Sequence, residues 1–164
     1  MLYATPADLL ARYAERDLRH ITDADGQAFV EQRAVDALAD ASVEIDAYVG
    51  QRYLLPLQQP AVAPLDPAAP LPAPVYLAEL PVLKRCACDI AVYRLQTLRP
   101  ADDIKDARQR YEDVIKLLVR IGKGEVLLEG AALRSDVPDA PTGMHSAGMP
   151  IFDNPPSVWA REYR

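Results

Sequence analysis

Between Glu31 and Leu57 the apolar residues hold a helical period without a break: Val35, Leu38, Ser42, Ile45, Val49 and Tyr53 recur every three or four positions and form one stripe. Ala34, Ala41 and Tyr48 widen that stripe, whereas Asp36, Asp40, Glu44, Asp46 and Gln51 fall on the other side and are expected in water. A helix patterned in this way has to cover its apolar side, which commits the chain to helix-on-helix packing. Gly50 is expected to loosen its last turn and Pro56 to stop it.

The partner helices can be read on either side of this segment. Thr5-Pro6-Ala7-Asp8 combines a capping hydroxyl, a proline at the first helical position and an acid at the capping-box position, so a helix through Leu9, Leu10 and Tyr13 is predicted. A turn or short helix over Arg16–Ile21 follows, with Leu18 and Ile21 inward, until Thr22-Asp23-Ala24-Asp25-Gly26 breaks it. After Pro81 the helical period resumes with Leu83, Ala87, Ile90 and Tyr93 or Arg94, and the small residues Ala87, Cys88 and Ala91 let a neighbour approach closely. Arg99-Pro100 ends that helix. Another is expected from near Ala101, with the stripe Ile104, Ala107, Tyr111, Val114 or Ile115, Leu118 and Ile121, closed by Gly122 and Gly124.

On its wet side Arg108, Arg110, Lys116 and Arg120 alternate with Asp103, Asp106, Glu112 and Asp113, which is mixed-sign pairing and not a basic patch. The fold class is mostly α: a small bundle of about four helices over residues 1–128, its core drawn from Leu38, Ile45, Val49, Leu83, Ile90, Tyr111, Val114 and Leu118.

Two segments do not fit a bundle. Eight of the 15 prolines fall between Pro56 and Pro81, a density that excludes helix or central strand and predicts an extended loop. PxxP spacing there also fits a ligand for a proline-binding module. A connector between two helices is the simpler reading, and the beads Val62, Leu65, Leu71 and Val75 can pack on a neighbouring copy. Residues 129–164 lack periodicity and read as an extended C-terminal arm, with a short extended piece, Glu125–Leu128, just before it. The arm ends in large apolar side chains, and Ile151, Phe152, Trp159 and Tyr163 are the candidate anchors by which it binds a partner.

Composition narrows the function classes. No run approaches the ~20 apolar residues that span a bilayer, and Met1–Tyr13 has neither the basic start nor the apolar block of a signal peptide, so a soluble, intracellular chain is expected. A net charge of -6 argues against a surface that grips DNA from outside, but not against a wall that DNA slides past. Cys86 and Cys88, the only cysteines, stand two apart on a helix and point to different faces, which makes them reduced packing residues.

Chemistry-bearing motifs are scarce. The loop at residues 22–26 resembles part of a calcium loop, but with Gly26 at the sixth position Ile21 stands at the first, where an oxygen ligand is required, and Gln32 at the twelfth, where a bidentate Glu is required. Asx turns and capping of the next helix explain Asp23 and Asp25 more simply. His20 and His145 have no second ligand at metal spacing, and Ile121-Gly122-Lys123-Gly124 lacks the spacing of a phosphate loop. No nucleophile elbow occurs; no catalytic residue, cofactor or metal is expected, and the chain reads as a non-enzyme.

Several motifs in one order carry a family resemblance: Met1-Leu2-Tyr3-Ala4-Thr5 with Asp8-Leu9 and Arg12-Tyr13; Thr22-Asp23-x-Asp25-Gly26; Ala37 to Tyr48; Arg52-Tyr53-x-Leu55-Pro56-Leu57; Leu83-Lys84-Arg85 through Leu95; Arg110 to Ile115; and Gly124-Glu125. Together they resemble the Mu-like phage protein family that is grouped with head–tail connectors. The resemblance implies a structural virion protein assembled in the host cytoplasm and placed at the neck, in a ring of roughly twelve copies. Its implied partners are the portal protein, a tail-side neck or tail terminator protein, and double-stranded DNA passing through the lumen without sequence-specific binding; it implies no membrane and no cofactor. Two alternatives stand beside it: a metal-binding or enzymatic module using the acidic loop at residues 22–26, joined by Asp89, and a cytosolic helical regulator that binds a partner through its tail.

Overall fold

In a computed structural model the described residues are 1–23, 25–61, 72–77, 80–98 and 106–137. They form five helices: α1 (Pro6–Arg12), α2 (Glu15–Thr22), α3 (Glu31–Val49), α4 (Pro81–Leu98) and α5 (Ala107–Lys123). The fold is mostly α, as the periodicity predicts.

α1 begins as its sequence dictates. The Thr5 hydroxyl accepts from the Asp8 N–H, the Asp8 carboxylate accepts from the Thr5 N–H, and Pro6 fills the first turn. The Thr5 hydroxyl also donates to the Asp8 carboxylate at 2.7 Å, and this bond, with the one from the Thr5 N–H, is the main reason the Asp8 carboxyl sits below its ordinary pKa, with Lys84 at 3.1 Å adding to the effect. A depressed carboxyl contributes stability above its unfolded pKa, so this contribution is complete at neutral pH and is lost as pH falls through the folded value.

α4 is the centre of the bundle. Leu83, Cys86, Ala87, Cys88, Asp89, Ile90, Ala91, Val92 and Leu95 are all buried, so the helix is covered on nearly every side, and α1, α2, α3 and α5 all pack on it. Small residues make that possible, because Ala and Cys let several helices approach at once. The sequence stripe suggests that α3 is the organising element; the structure gives that place to α4, whose weak amphipathicity is the mark of burial all round. Both cysteines are unpaired, and burial pushes each thiol up to about 11.

α3 and α4 run antiparallel, with Arg94 reaching Glu44, and α5 returns antiparallel to α4, with Tyr93 stacked on Tyr111 at 4.3 Å between ring centroids. The C-terminal ends of α3 and α5 and the N-terminal end of α4 therefore share one end of the bundle. Gly122 of α5 touches α3 there: a Cβ at this position would lie 2.9 Å from the Tyr48 carbonyl oxygen.

Several expectations change. α3 stops at Val49 and does not run on toward Leu57, because the chain turns at Gly50, whose N–H donates to the Asp46 and Tyr48 carbonyls. Tyr53 is buried all the same, through a bridge to Leu133 and a hydroxyl that accepts from the Leu128 N–H. Glu44 and Asp46 are not on a wet face: the Glu44 side chain is 15% exposed between Arg94 and Tyr111, and Asp46 accepts from the Tyr3 hydroxyl.

Tyr111 itself is half-buried, while the other seven predicted core residues are buried. α5 starts at Ala107, after an Asp106 in the left-handed region at φ 63°, not near Ala101; Ile104 lies outside the described residues. Its end does follow the glycine signal, with Gly124 at φ 80°.

The segments flanking the bundle also carry structure. Residues 53–58 lie between two short pairings: Leu54 N–H donates to Ala132 and Ala132 N–H to Gln58 on one side, while Leu77 N–H donates to Leu57 and Gln59 N–H to Val75 on the other. The ends of the proline-rich loop are thus pinned together, and Val75 is exposed; Val62, Leu65 and Leu71 lie outside the described residues. The start of the arm belongs to the body as well, since Ala131 and Ala132 are buried and Arg134 donates to the Gly50 carbonyl. No periodicity announces this, because the pairing is made by backbone groups.

Candidate interaction surfaces

The anchors Ile151, Phe152, Trp159 and Tyr163 all lie outside the described residues, as does His145. What the described body offers a partner is built from three features.

The first is the apolar end of the bundle. Leu54, Leu55, Val75, Tyr76 and Leu127 are exposed on the segments that close it, with Leu127 the most open at 67%. The backbone pairings around residues 53–58 hold most of these side chains in one region, so they form a fringe instead of isolated surface residues.

The second is a cleft of about 440 Å³ where α1, α4 and α5 meet, lined by Arg12, Arg85, Asp89, Arg110, Asp113, Val114 and Leu117. Asp89 is its buried floor. It accepts from Arg12 Nε at 3.2 Å and from the Tyr13 hydroxyl at 2.5 Å, so its charge is compensated inside the fold. Burial, with Asp89 beside it, pushes the Tyr13 phenol up to about 12. Arg110 lies over the Tyr13 ring at 5.8 Å, which fixes that guanidinium at the mouth.

The third is a groove of about 510 Å³ at the other end, between α2, α3 and α4, lined by Ile21, Arg33, Asp36, Ala37, Asp40, Arg94, Leu95, Thr97 and Leu98. Its two arginines are engaged: Arg33 donates to the Thr22 carbonyl, and Arg94 to Glu44 at 2.7 Å with Asp40 at 3.7 Å. Asp36 is exposed, and the Asp40 side chain is 68% exposed. Tyr111 also donates to Glu44, and its phenol is pushed up to about 12 by burial and by that carboxylate.

The acidic loop takes its simpler reading in part. Asp23 accepts from the N–H groups of Asp25, Gln27 and Ala28, which is turn chemistry. It does not cap α3, whose N-cap is Val30; the Val30 N–H instead donates to the Thr22 hydroxyl. Asp89 is committed to Arg12 and Tyr13 on α1, and among the described residues no group of three or more His, Cys, Asp or Glu side chains is placed to hold a metal ion. Replacing Asp23 and Asp25 together by Asn is expected to cost about 1 kcal/mol through weaker turn bonds and to leave assembly intact. A bound metal in the parent protein that elemental analysis finds missing from the variant would contradict this.

The cleft is not evident in the sequence, which places Arg110 on a wet helix face without a role. Its one signal is the spacing of Arg85 and Asp89, and of Arg110, Asp113, Val114 and Leu117, each set on a single helix face. That α1 closes the third side follows only from the packing.

The family model described as bacteriophage Mu, Gp36 matches residues 3–146. The chain is 34% identical over 164 residues to the Mu-like prophage FluMu protein gp36 of Haemophilus influenzae, covering 98% of this chain and 94% of that protein. It is also 34% identical over 131 residues to gene product J of Escherichia phage Mu, covering 76% of this chain and 74% of that protein. Among the described residues no helix is long and apolar enough to cross a membrane. With all five helices inside the matched region, the chain belongs to the bacteriophage Mu Gp36 family.

Proposed function

We propose that this chain is a structural subunit of the phage neck: a head–tail connector whose copies form a ring between portal and tail, with double-stranded DNA passing through the lumen. In this reading it performs no catalysis and needs no cofactor. The portal lies on one side of the ring and a tail-side neck or tail terminator protein on the other. The C-terminal arm, through Ile151, Phe152, Trp159 and Tyr163, holds a neighbouring copy or the portal.

Membership in a Mu-like phage family supports this placement. The observation that carries it is the apolar fringe of Leu54, Leu55, Val75, Tyr76 and Leu127 at one end of the bundle, since side chains of this size on one face of a small body are the mark of an assembly surface. A net charge of -6 suits a channel subunit, because a wall rich in fixed cations would hold phosphates and stop the DNA from sliding.

The test is interruption of the gene in a phage that carries it. Filled heads and finished tails that fail to join are expected, with joining restored by the protein supplied in trans. A block in DNA packaging or in tail polymerisation would contradict the connector role.

A further inference from the structure

The cleft between α1, α4 and α5 has a surplus of cations. Arg12 is compensated by Asp89, and Asp113 accepts from Gln109 at 3.0 Å and Lys116 at 3.3 Å, so both carboxylates in the wall are already occupied. Arg85 and Arg110 are exposed, and among the described residues neither is in an ion pair. In a chain of net charge -6, two guanidiniums at the mouth of a concave site, one of them held over the Tyr13 ring and neither paired with a carboxylate among the described residues, can take two acidic groups from outside.

The groove between α2, α3 and α4 presents two exposed carboxylates, Asp36, which accepts from Gln32 at 2.9 Å, and Asp40, which has Arg94 at 3.7 Å and keeps 68% of its side chain exposed. Asp36 and Asp40 are four residues apart on one face of α3, which sets their Cβ atoms about 6 Å from each other. Their groove lies against Arg94 and Leu98, and the cleft against Arg85. Arg85 and Arg94 are nine positions apart in α4, and at about 100° per residue nine positions is half a turn beyond two full ones. Cleft and groove therefore look out from opposite sides of the central helix. A ring closed by head-to-tail contacts requires two different, complementary patches on different faces of one subunit, whereas a two-fold contact would require one patch that fits itself.

We infer that the Arg12–Arg85–Arg110 cleft is the receiving half of the subunit–subunit contact, and that it takes the α3 carboxylates Asp36 and Asp40 of the next copy of this chain. The inference rests on the ring proposed above and adds which faces meet. A DNA phosphate backbone is the weaker occupant, because duplex binding needs a broad cationic face and a net charge of -6 argues against one.

Sedimentation over a range of concentrations, with and without portal, tests it by charge exchange in the full chain. The variant Arg85→Glu/Arg110→Glu and the variant Asp36→Lys/Asp40→Lys are each expected to raise the concentration needed for self-association by about tenfold or more. An equimolar mixture of the two is expected to restore it, because each reversed cleft then meets a reversed α3 face. High salt should weaken the wild-type contact. Melting temperatures check that both variants are folded; should the glutamates prevent folding, Arg85→Gln/Arg110→Gln gives the same readout with a smaller shift.

Equal association of wild type and cleft variants would overturn the cleft assignment and leave the ring standing, and so would a mixture of folded variants that stays dissociated. Loss of duplex DNA binding in the cleft variant, with assembly unchanged, would make the site a phosphate site. A wild-type chain that stays monomeric alone and with portal would overturn the ring and the cleft assignment together.

Discussion

Replacing Ile45 by alanine is expected to lower the unfolding free energy by about 2–5 kcal/mol. Ile45 is fully buried in α3 among helices that also bury Leu38, Ile90 and Leu118, so the deleted methyl groups leave a cavity that rigid neighbours fill only in part. For a chain of this size the melting temperature should fall by roughly 5–15 °C. Val43, on the same helix but 70% exposed, supplies the contrast: Val43→Ala should change stability by no more than about 0.5 kcal/mol. Thermal unfolding followed by circular dichroism separates the two. An Ile45→Ala protein that melts with the wild type would contradict the placement of α3 in the core.

Deleting Gly148–Arg164 should have the opposite profile, with assembly lost and stability kept. Every described helix, and the pairing of residues 131–134 with the α3–α4 connection, survives this deletion, so the melting temperature should hold within about 2 °C. Removed with the segment are Ile151, Phe152, Trp159 and Tyr163. A segment that orders on contact loses conformational entropy, and large apolar side chains are what offset that loss, so their removal should abolish joining to the portal or to a neighbouring ring. Unfolding of the truncated chain would mean that the tail is part of its own subunit's core. Normal assembly into infectious particles would rule out the docking role.

These two expectations rest on different kinds of legibility. The buried faces of α3 and α5 could be read directly, since Leu38, Ile45, Val49, Val114 and Leu118 repeat at helical spacing and polar residues fill most of the remaining positions. The N-terminal start of α1 could be read from four residues, because a capping box is local chemistry. α4 was harder to read as the centre. Its Cys and Ala residues carry little hydrophobic contrast, and Asp89 looks like a solvent residue until Arg12 and Tyr13 arrive from 76 or more positions away.

The same limit hid the true surroundings of Glu44, which depend on Arg94 and Tyr111 from two other helices. Backbone pairing hid the rest: the contacts of residues 53–58 with 75–77 and 132–134 use N–H and C=O groups that every residue has, so composition shows only prolines and loops there. Of the candidate surfaces, the arm is legible as a cluster of aromatic residues in a polar stretch. The arginine cleft is not, because it exists only once three helices have met.

The measurement that bears most directly on the connector role is a cryo-electron microscopy reconstruction of the neck in a virion that carries this chain. The account predicts a closed ring of five-helix bodies directly below the portal, in roughly twelve copies, with DNA along the axis and neighbouring bodies in head-to-tail contact. A neck with no density for this body, or purified infectious particles in which the chain is absent or sits in the shell or the tail tip, would contradict it.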